Sequence, residues 1–267
     1  MKSSRNVSVK AGGWRFRIGG AAATMAMAAA LVGSAPAIAA PPPEDMMVLD
    51  YDKAYVLRYD ATTGGFIDVF VTKRSGGLFE PQFAVFGPHD GHLYVSSGHF
   101  SGRPARYGVM RYDGGTGDFI DVFTRGARLH HVHGVVFGPD GNLYVSDSGG
   151  SVSTDEAVSR ILRYQGPSGS DPGAFMDVFL PPGTGGLRQP QAVLFGPDGN
   201  GDGSQDLYVA SAQLVGGNDK GGHGSVKRFD GVTGAFLDDV VPEGSDGLDL
   251  AVNVMFRTTD PMTLTYP

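Results

Sequence analysis

The sequence predicts an all-β protein built from four-stranded units repeated along the chain, and three observations carry that prediction. One block, a Val-Leu-Arg-Tyr core followed by Phe-Ile-Asp-Val-Phe, occurs in four versions that begin at Val56, Val109, Ile161 and Val226. A second block, FGPDGNLYV from Phe137 to Val145, recurs as FGPHDGHLYV from Phe86 and as FGPDGNGDGSQDLYV from Phe195. Between the blocks stand turns of Gly, Pro, Asp and Asn, with no amphipathic helical stretch. The abundance of glycine, 42 residues, fits the same turn-rich picture.

Taken in order, the chain opens on residues that read as a secretory leader, 1–39. Lys2, Arg5, Lys10, Arg15 and Arg17 form a basic start, an apolar run spans Ala21 to Val32, and Ala37-Ile38-Ala39 offers a small-residue cleavage site. The apolar run is short for a membrane span. Residues 40–45 then form a proline-rich tether, and 46–267 the repeat domain. The whole chain carries a net charge of −7; removing a leader with five basic residues and no acidic one leaves −12. An acidic surface of that size argues against nucleic acid and anionic membranes as partners, and there is no cysteine for disulfides or thiol chemistry. The expected location is outside the cytoplasm, secreted or periplasmic, in a bacterium, with no membrane span once the leader is cleaved.

Each unit contains four short strands, exemplified by GVVF, LYVS, ILRY and FMDVF, in about 50 residues, which is the pattern of a β-propeller blade. VFGPDGNLYVSD followed by ILRY resembles the NHL-type propeller repeat and is similar to repeats of streptogramin lyase-like and gluconolactonase-like propellers. The resemblance implies that GVVF is the innermost strand of its blade, followed outward by LYVS, ILRY and FMDVF. The chain then starts with a second-position strand at 46–50 and third and fourth strands at 55–59 and 66–70. It ends with a first and a second strand at 252–256 and 262–266. Pairing of the terminal strands would close a ring of about four blades, although the second strand is then present twice. An open arc that forms a homodimer, or a truncated copy of a larger ring, are the other arrangements.

Features common to every unit read as architecture. The pairs Arg58/Asp68, Arg111/Asp121, Arg163/Asp177 and Arg228/Asp238 recur together on neighbouring strands and are expected to form cross-strand ion pairs. The alternative, a ring of substrate-binding arginines, finds no further support in the sequence.

Departures from the repeat are the candidates for function. The first is the insertion GDGSQD in the third copy of the turn. Counted from Asp198, oxygen-bearing side chains fall at alternate positions: Asp198, Asn200, Asp202, Ser204 and Asp206, with Gly203 where a calcium loop turns sharply. The arrangement resembles the calcium loops of FG-GAP-type propellers, and it is expected to hold a structural Ca²⁺. It is not an EF-hand, since Val209 stands at the twelfth position and strands flank the loop.

The second departure is LHHVHG, Leu129 to Gly134. Aligned on the repeat, His133 stands where Gln82, Gln191 and Val252 stand, at the entry to the innermost strand. His130, His131 and His133, with Gln82 and Gln191, are therefore the expected ligand-binding residues at the mouth of a central channel. A histidine trio also suits a transition-metal site or acid–base work. The third departure is the long, dissimilar connections at 98–108, 148–160 and 212–225, where His99, Asp155, Asp219 and His223 are the notable residues. Strand alternation puts these connections and the histidines on one end, called upper here, and the acidic insertion on the lower end.

The sequence supports two functional readings. One is an exported binding module whose partner is a glycan, a protein or a small molecule. The other is a streptogramin lyase-like or lactonase-like enzyme in which His133 or His131 acts as base beside a divalent metal. No Gly-x-Ser-x-Gly motif is present to suggest an α/β-hydrolase nucleophile.

Overall fold

The computed structural model describes residues 45–98, 107–149, 159–212, 224–260 and 262–267. All of them belong to one compact unit, Pro42–Pro267. The leader and the tether up to Glu44 lie outside the described residues. Among the described residues no helix is long and apolar enough to cross a membrane.

The fold is all-β, with four antiparallel sheets that follow one another along the chain as propeller blades. The first sheet has three strands: β1 (Asp45–Asp50), β2 (Tyr55–Asp60) and β3 (Phe66–Val71). The second contains β4 (Ala84–Phe86), β5 (Leu93–Ser97), β6 (Gly108–Tyr112) and β7 (Phe119–Val122). The third contains β8 (Val132–Phe137), β9 (Leu143–Asp147), β10 (Arg160–Tyr164) and β11 (Phe175–Leu180). The fourth contains β12 (Pro190–Gly196), β13 (Asp206–Ser211), β14 (Ser225–Phe229) and β15 (Phe236–Val241).

In the third and fourth sheets burial falls from the first strand to the last. Every residue of β8 and β12 is buried, whereas β7 and β15 expose apolar residues such as Phe119 and Phe236. An aromatic interlock recurs from sheet to sheet. Tyr94 of β5 meets Phe123 and Phe137 edge-on, each at 4.9 Å; Tyr144 of β9 meets Phe179 at 5.0 Å and Phe195 at 4.9 Å. Each tyrosine thus joins its own sheet to the next, and each pair contributes about 0.5–1.5 kcal/mol beyond the area it buries.

The expected arginine–aspartate pairs form in all four sheets, with closest N–O distances of 2.5, 2.6, 2.5 and 2.6 Å in chain order. The guanidinium groups of Arg58, Arg111 and Arg163 also lie over Phe70, Phe123 and Phe179, at 5.1 to 5.3 Å from the ring centres. These arginines are structural: each is fully engaged by its own sheet.

The C-terminal segment departs from the expectation. Residues 252–256 and 262–266 form no strands, and β1 pairs with β2 alone. The segment nevertheless occupies the position of a next innermost strand. The Val252 carbonyl accepts from the Ala192 amide (3.2 Å), and Phe256 stacks edge-on against Tyr208 at 4.9 Å, as Phe137 does on Tyr94. Beyond it, the Met262 carbonyl accepts from the Phe86 amide at 3.0 Å, and the Tyr266 carbonyl from Gln205 Nε2 at 2.9 Å. The pattern Val-Met-Phe supplies the aromatic contact; a tight turn at Asp260, whose carbonyl accepts from the Leu264 amide at 2.8 Å, interrupts the ladder that a second strand would need.

The innermost strands of the third and fourth sheets approach closely. A Cβ on Gly134 of β8 would stand 2.5 Å from the Gln191 carbonyl of β12, so only glycine fits where these two strands touch. Ser146 of β9 donates to that same carbonyl at 2.7 Å. At this level β8 and β12 are packed backbone against backbone.

Candidate functional site

The upper end gathers the histidines. Leu129 is buried and anchors the segment, so the residues after it turn inward toward β8. The amides of His130 and His131 both donate to Asp147 Oδ1, at 3.0 and 2.8 Å. Asp147 ends β9 and is 0% exposed. Its other oxygen accepts from Arg160 Nε and Nη2 at 3.2 and 3.0 Å and lies 3.2 Å from His130 Nδ1. Burial pushes the Asp147 carboxyl up, but His130, the His131 amide and Arg160 outweigh it and hold the group below the usual carboxylate range. Arg160 Nη2 also donates to the Arg128 carbonyl at 2.6 Å, which ties the segment entering β8 to the start of β10.

His131 and His133 sit further in, 5% and 3% exposed, with their rings 6.2 Å apart. Burial lowers the His131 pKa, against the opposing pull of the Asp147 and Glu80 charges. Tyr107 meets the same ring edge-on at 6.3 Å. His133 Nδ1 lies 2.7 Å from Gln82 Oε1, and Nε2 lies 3.0 Å from Ser148 Oγ. Gln191 is buried on β12 and donates from Nε2 to the Gln189 carbonyl at 3.2 Å. Two residues at matched places, Glu80 and Gln189, take left-handed backbone angles, with φ of 45° and 38°. Strained non-glycine residues of this kind collect where structure over-determines a site.

The structure therefore brings Gln82 and His133 together, with His131 beside His133 and Gln191 on the adjoining strand. His130 faces Asp147 and Arg160 instead. The segment leads into the place where the neighbouring inner strands β8 and β12 touch backbone to backbone at Gly134. Sequence reasoning missed Asp147, Ser148, Arg160 and Glu80. The internal copies carried the signal for three of them: Asp147 stands where the other units have Ser97 and Ser211, Ser148 where they have Gly98 and Ala212, and Arg160 where they have Gly108 and Ser225. His99, Asp155, Asp219 and His223 lie outside the described residues.

The lower end holds the acidic insertion. Asp198 Oδ1 accepts from the Gly201 amide at 2.6 Å and Oδ2 from the Gly203 amide at 2.8 Å, and these bonds hold its carboxyl below the usual range, the Gly203 amide most. Gly203 itself has φ of 91°, the left-handed turn expected of that position. Asn200 Nδ2 donates to Asp202 Oδ2 and to Asp230 Oδ2, each at 3.1 Å. Asp202 Oδ1 caps the Ser204 amide at 2.8 Å. Asp206 is 0% exposed; Oδ2 accepts from the Gly199 amide at 2.8 Å, while Oδ1 is buried with no hydrogen-bond partner. Burial pushes the Asp206 carboxyl up, and the charges of Asp198 and Asp202 add to this against the Gly199 amide and Arg228.

Asp202 and Asn200 meet at the loop, and Asp230, from the turn between β14 and β15, joins them. In this conformation Asp198 turns onto the loop's own amides, and Asp206 sits under the loop with its Oδ2 3.9 Å from Arg228 Nε. Among the described residues no three His, Cys, Asp or Glu side chains converge so as to hold a metal ion. The donor set is nonetheless one of hard oxygens, and a calcium shell also draws on Asn, Ser, backbone carbonyls and water. The buried, unpartnered Asp206 oxygen is a feature that a cation would satisfy. Asp230 was hidden from sequence reasoning because Asp60 and Asp113 occupy its place in other units and there serve only as turn caps.

No family model matches the chain, and no curated protein matches it. Among solved structures, the chain is similar to hydrazine synthase from Kuenenia stuttgartiensis, with 17% identity over 79% of this chain and 53% of that one and a TM-score of 0.47. It is similar to a putative gluconolactonase with 16% identity, 74% and 60% coverage and a TM-score of 0.46. It is likewise similar to an auxiliary nutrient binding protein from Bacteroides thetaiotaomicron, with 16% identity, 72% and 43% coverage and a TM-score of 0.49. The chain spans about half the length of these structures.

Proposed function

We propose that the protein is an exported propeller that binds a polar ligand at its upper end and is stiffened by Ca²⁺ at its lower end. The observation that carries the reading is the set of polar side chains, His131, His133 and Gln191 buried and Gln82 half-buried, contributed by three blades at the entries to the innermost strands. Architecture alone does not require them: the C-terminal segment has Val252 at the equivalent place. Their hydrogen-bonding groups suit a small polar molecule, a glycan or a polar protein loop. Both ring nitrogens of His133 already face a polar partner, which favours ligand contact over metal ligation at this end.

For the lower end, Asp198, Asn200, Asp202, Ser204 and Asp206 are the proposed donors. The ion would hold the inserted hairpin against the turn that carries Asp230, and no chemistry is assigned to it. Extracellular calcium sites of this type commonly bind at about 10⁻⁴–10⁻³ M, so millimolar Ca²⁺ is the concentration to use.

The test of the ligand reading is a binding screen over glycans and small polar metabolites, with Gln191→Ala as control. Binding that weakens about tenfold or more in the variant is the expected result. A screen without a hit, or a hit indifferent to Gln191, counts against it. The test of the ion is a thermal melt with millimolar Ca²⁺ and with EGTA: Ca²⁺ raises Tm in the wild type and not in Asp202→Ala.

A further inference from the structure

We propose that Ser148 is an acyl-accepting nucleophile activated by His133, and that the upper end hydrolyses small esters. The proposal rests on the reading of the upper end as a ligand site and adds a reaction to it. The geometry is that of a nucleophile, a base and an orienting group in line. Ser148 Oγ lies 3.0 Å from His133 Nε2, and His133 Nδ1 lies 2.7 Å from Gln82 Oε1. An amide oxygen can only accept, so Gln82 fixes the proton on Nδ1. Nε2 is then the acceptor for the Ser148 hydroxyl proton.

Three separate segments supply these groups: the entry to β4, the strand β8 and the residue after β9. The backbone fixes the serine as well, since its amide donates to the His131 carbonyl at 2.9 Å. His133 and Ser148 are each 3% exposed, so water competes little for the pair. The internal copies show that the fold does not need the hydroxyl. Gly98 and Ala212 follow the equivalent strands in the neighbouring units, and among these copies the third alone sets a hydroxyl against an imidazole.

The step balances without a cofactor. Ser148 Oγ bonds to the ester carbonyl carbon as its proton passes to His133 Nε2. The carbon–alkoxy bond breaks, the alkoxide takes that proton, and an alcohol leaves an acyl-serine. Water then attacks the acyl carbon and gives its proton to Nε2. The bond to Ser148 breaks, the serine oxygen recovers the proton, and a carboxylic acid is released. Gln82 is a positioning residue: it holds the ring but, being neutral, stabilises the imidazolium less than a carboxylate would. Slow turnover of small, reactive esters is therefore expected.

The experiment treats the full protein with a fluorophosphonate probe and, separately, with p-nitrophenyl acetate. Peptide mapping should find the probe on Ser148 of the wild type, a readout that needs no variant to fold. Ser148→Ala should lose both labelling and ester turnover, and His133→Gln should slow labelling about 100-fold, in line with general-base catalysis. Gln82→Glu should exceed Gln82→Ala in turnover, a rescue that a purely structural glutamine would not produce. Melting curves of each variant identify any that has lost its fold. Wild-type protein that takes no label at Ser148, or Ser148→Ala that keeps wild-type turnover, overturns the proposal. A screen that finds a ligand while Ser148 stays unlabelled sinks the nucleophile and leaves the binding reading standing; label on Ser148 with no ligand found does the reverse.

Discussion

The two ends of the third and fourth blades each concentrate buried or crowded acid groups, and they neutralise them in opposite ways. At the upper end Asp147 is wholly buried and fully compensated: Arg160, His130 and three backbone amides surround one carboxylate. At the lower end Asp198 and Asp202 are capped by amides of their own loop, and among the described residues neither meets a lysine or arginine. Asp206 has Arg228 for a neighbour only at 3.9 Å and leaves one oxygen without a partner. The shorter turn of the third blade shows what the insertion changed. There Asp140 accepts from the Tyr144 hydroxyl at 3.0 Å and faces Arg163 at 3.6 Å. In the longer turn Tyr208 donates to the Pro197 carbonyl instead, and Asp206 takes the place beside the strand arginine. Asp198, the residue that matches Asp140 in sequence, is released to shape the loop. The upper cluster is thus closed electrostatically by the protein, whereas the lower one is open to a cation.

Removing a carboxylate should therefore have opposite consequences at the two ends. Asp147→Ala strands the half-buried Arg160 and the amides that donate to the buried carboxylate, and is expected to cost about 3 kcal/mol in a denaturant titration. A loss under about 1 kcal/mol would show that Asp147 is not the keystone of the upper end. At the lower end the proposed stabilisation comes from outside. Ca²⁺ at a hundred times its dissociation constant should add about 2.7 kcal/mol to the wild type and nothing to Asp202→Ala. Without calcium, Asp202→Asn should leave stability unchanged or slightly raised, because it removes like-charge repulsion.

The histidines sharpen the upper half of the contrast. His131 has a folded-state pKa below its ordinary 6.5 because it is buried, so the unfolded chain takes up the proton first. Stability from this group is present above that value and is lost as pH falls through it. His131→Gln should flatten the decline measured between pH 7 and pH 5, and an unchanged decline would refute the assignment. Asp147 has the shift of an acid held ionised, so its contribution is present at neutral pH and disappears only as pH falls below the usual carboxylate range. The smallest effect belongs to the recurring pairs. Arg111→Met should cost about 1 kcal/mol or less, since the Asp121 side chain is partly exposed and the pair is screened by solvent.

The repeat made much of this legible. Strand order, the arginine–aspartate pairs and the opposite placement of the histidines and the acidic loop all come from matching the chain to itself. The terminal segment was misread because Val-Met-Phe carries the side-chain pattern of an inner strand, while the ladder beside it depends on a neighbouring strand that the turn at Asp260 interrupts. The close approach of β8 and β12 was not legible, because Gly134 gives no sign in sequence of the carbonyl pressed against it. Asp147 and Ser148 were overlooked for another reason: attention went to histidines, although single-copy substitutions at the strand end are equally visible. Asp230 could not be found by that rule at all, since its role changes while its identity does not.

The most direct test of the division between the two ends is a calcium titration followed by backbone amide NMR on the intact protein. The account predicts that shifts concentrate at residues 198–206 and at Asp230 and its turn, while residues 130–148 keep their positions. Saturating shifts at His130, His131 and His133, with none in the acidic loop, would contradict it and move the metal to the upper end.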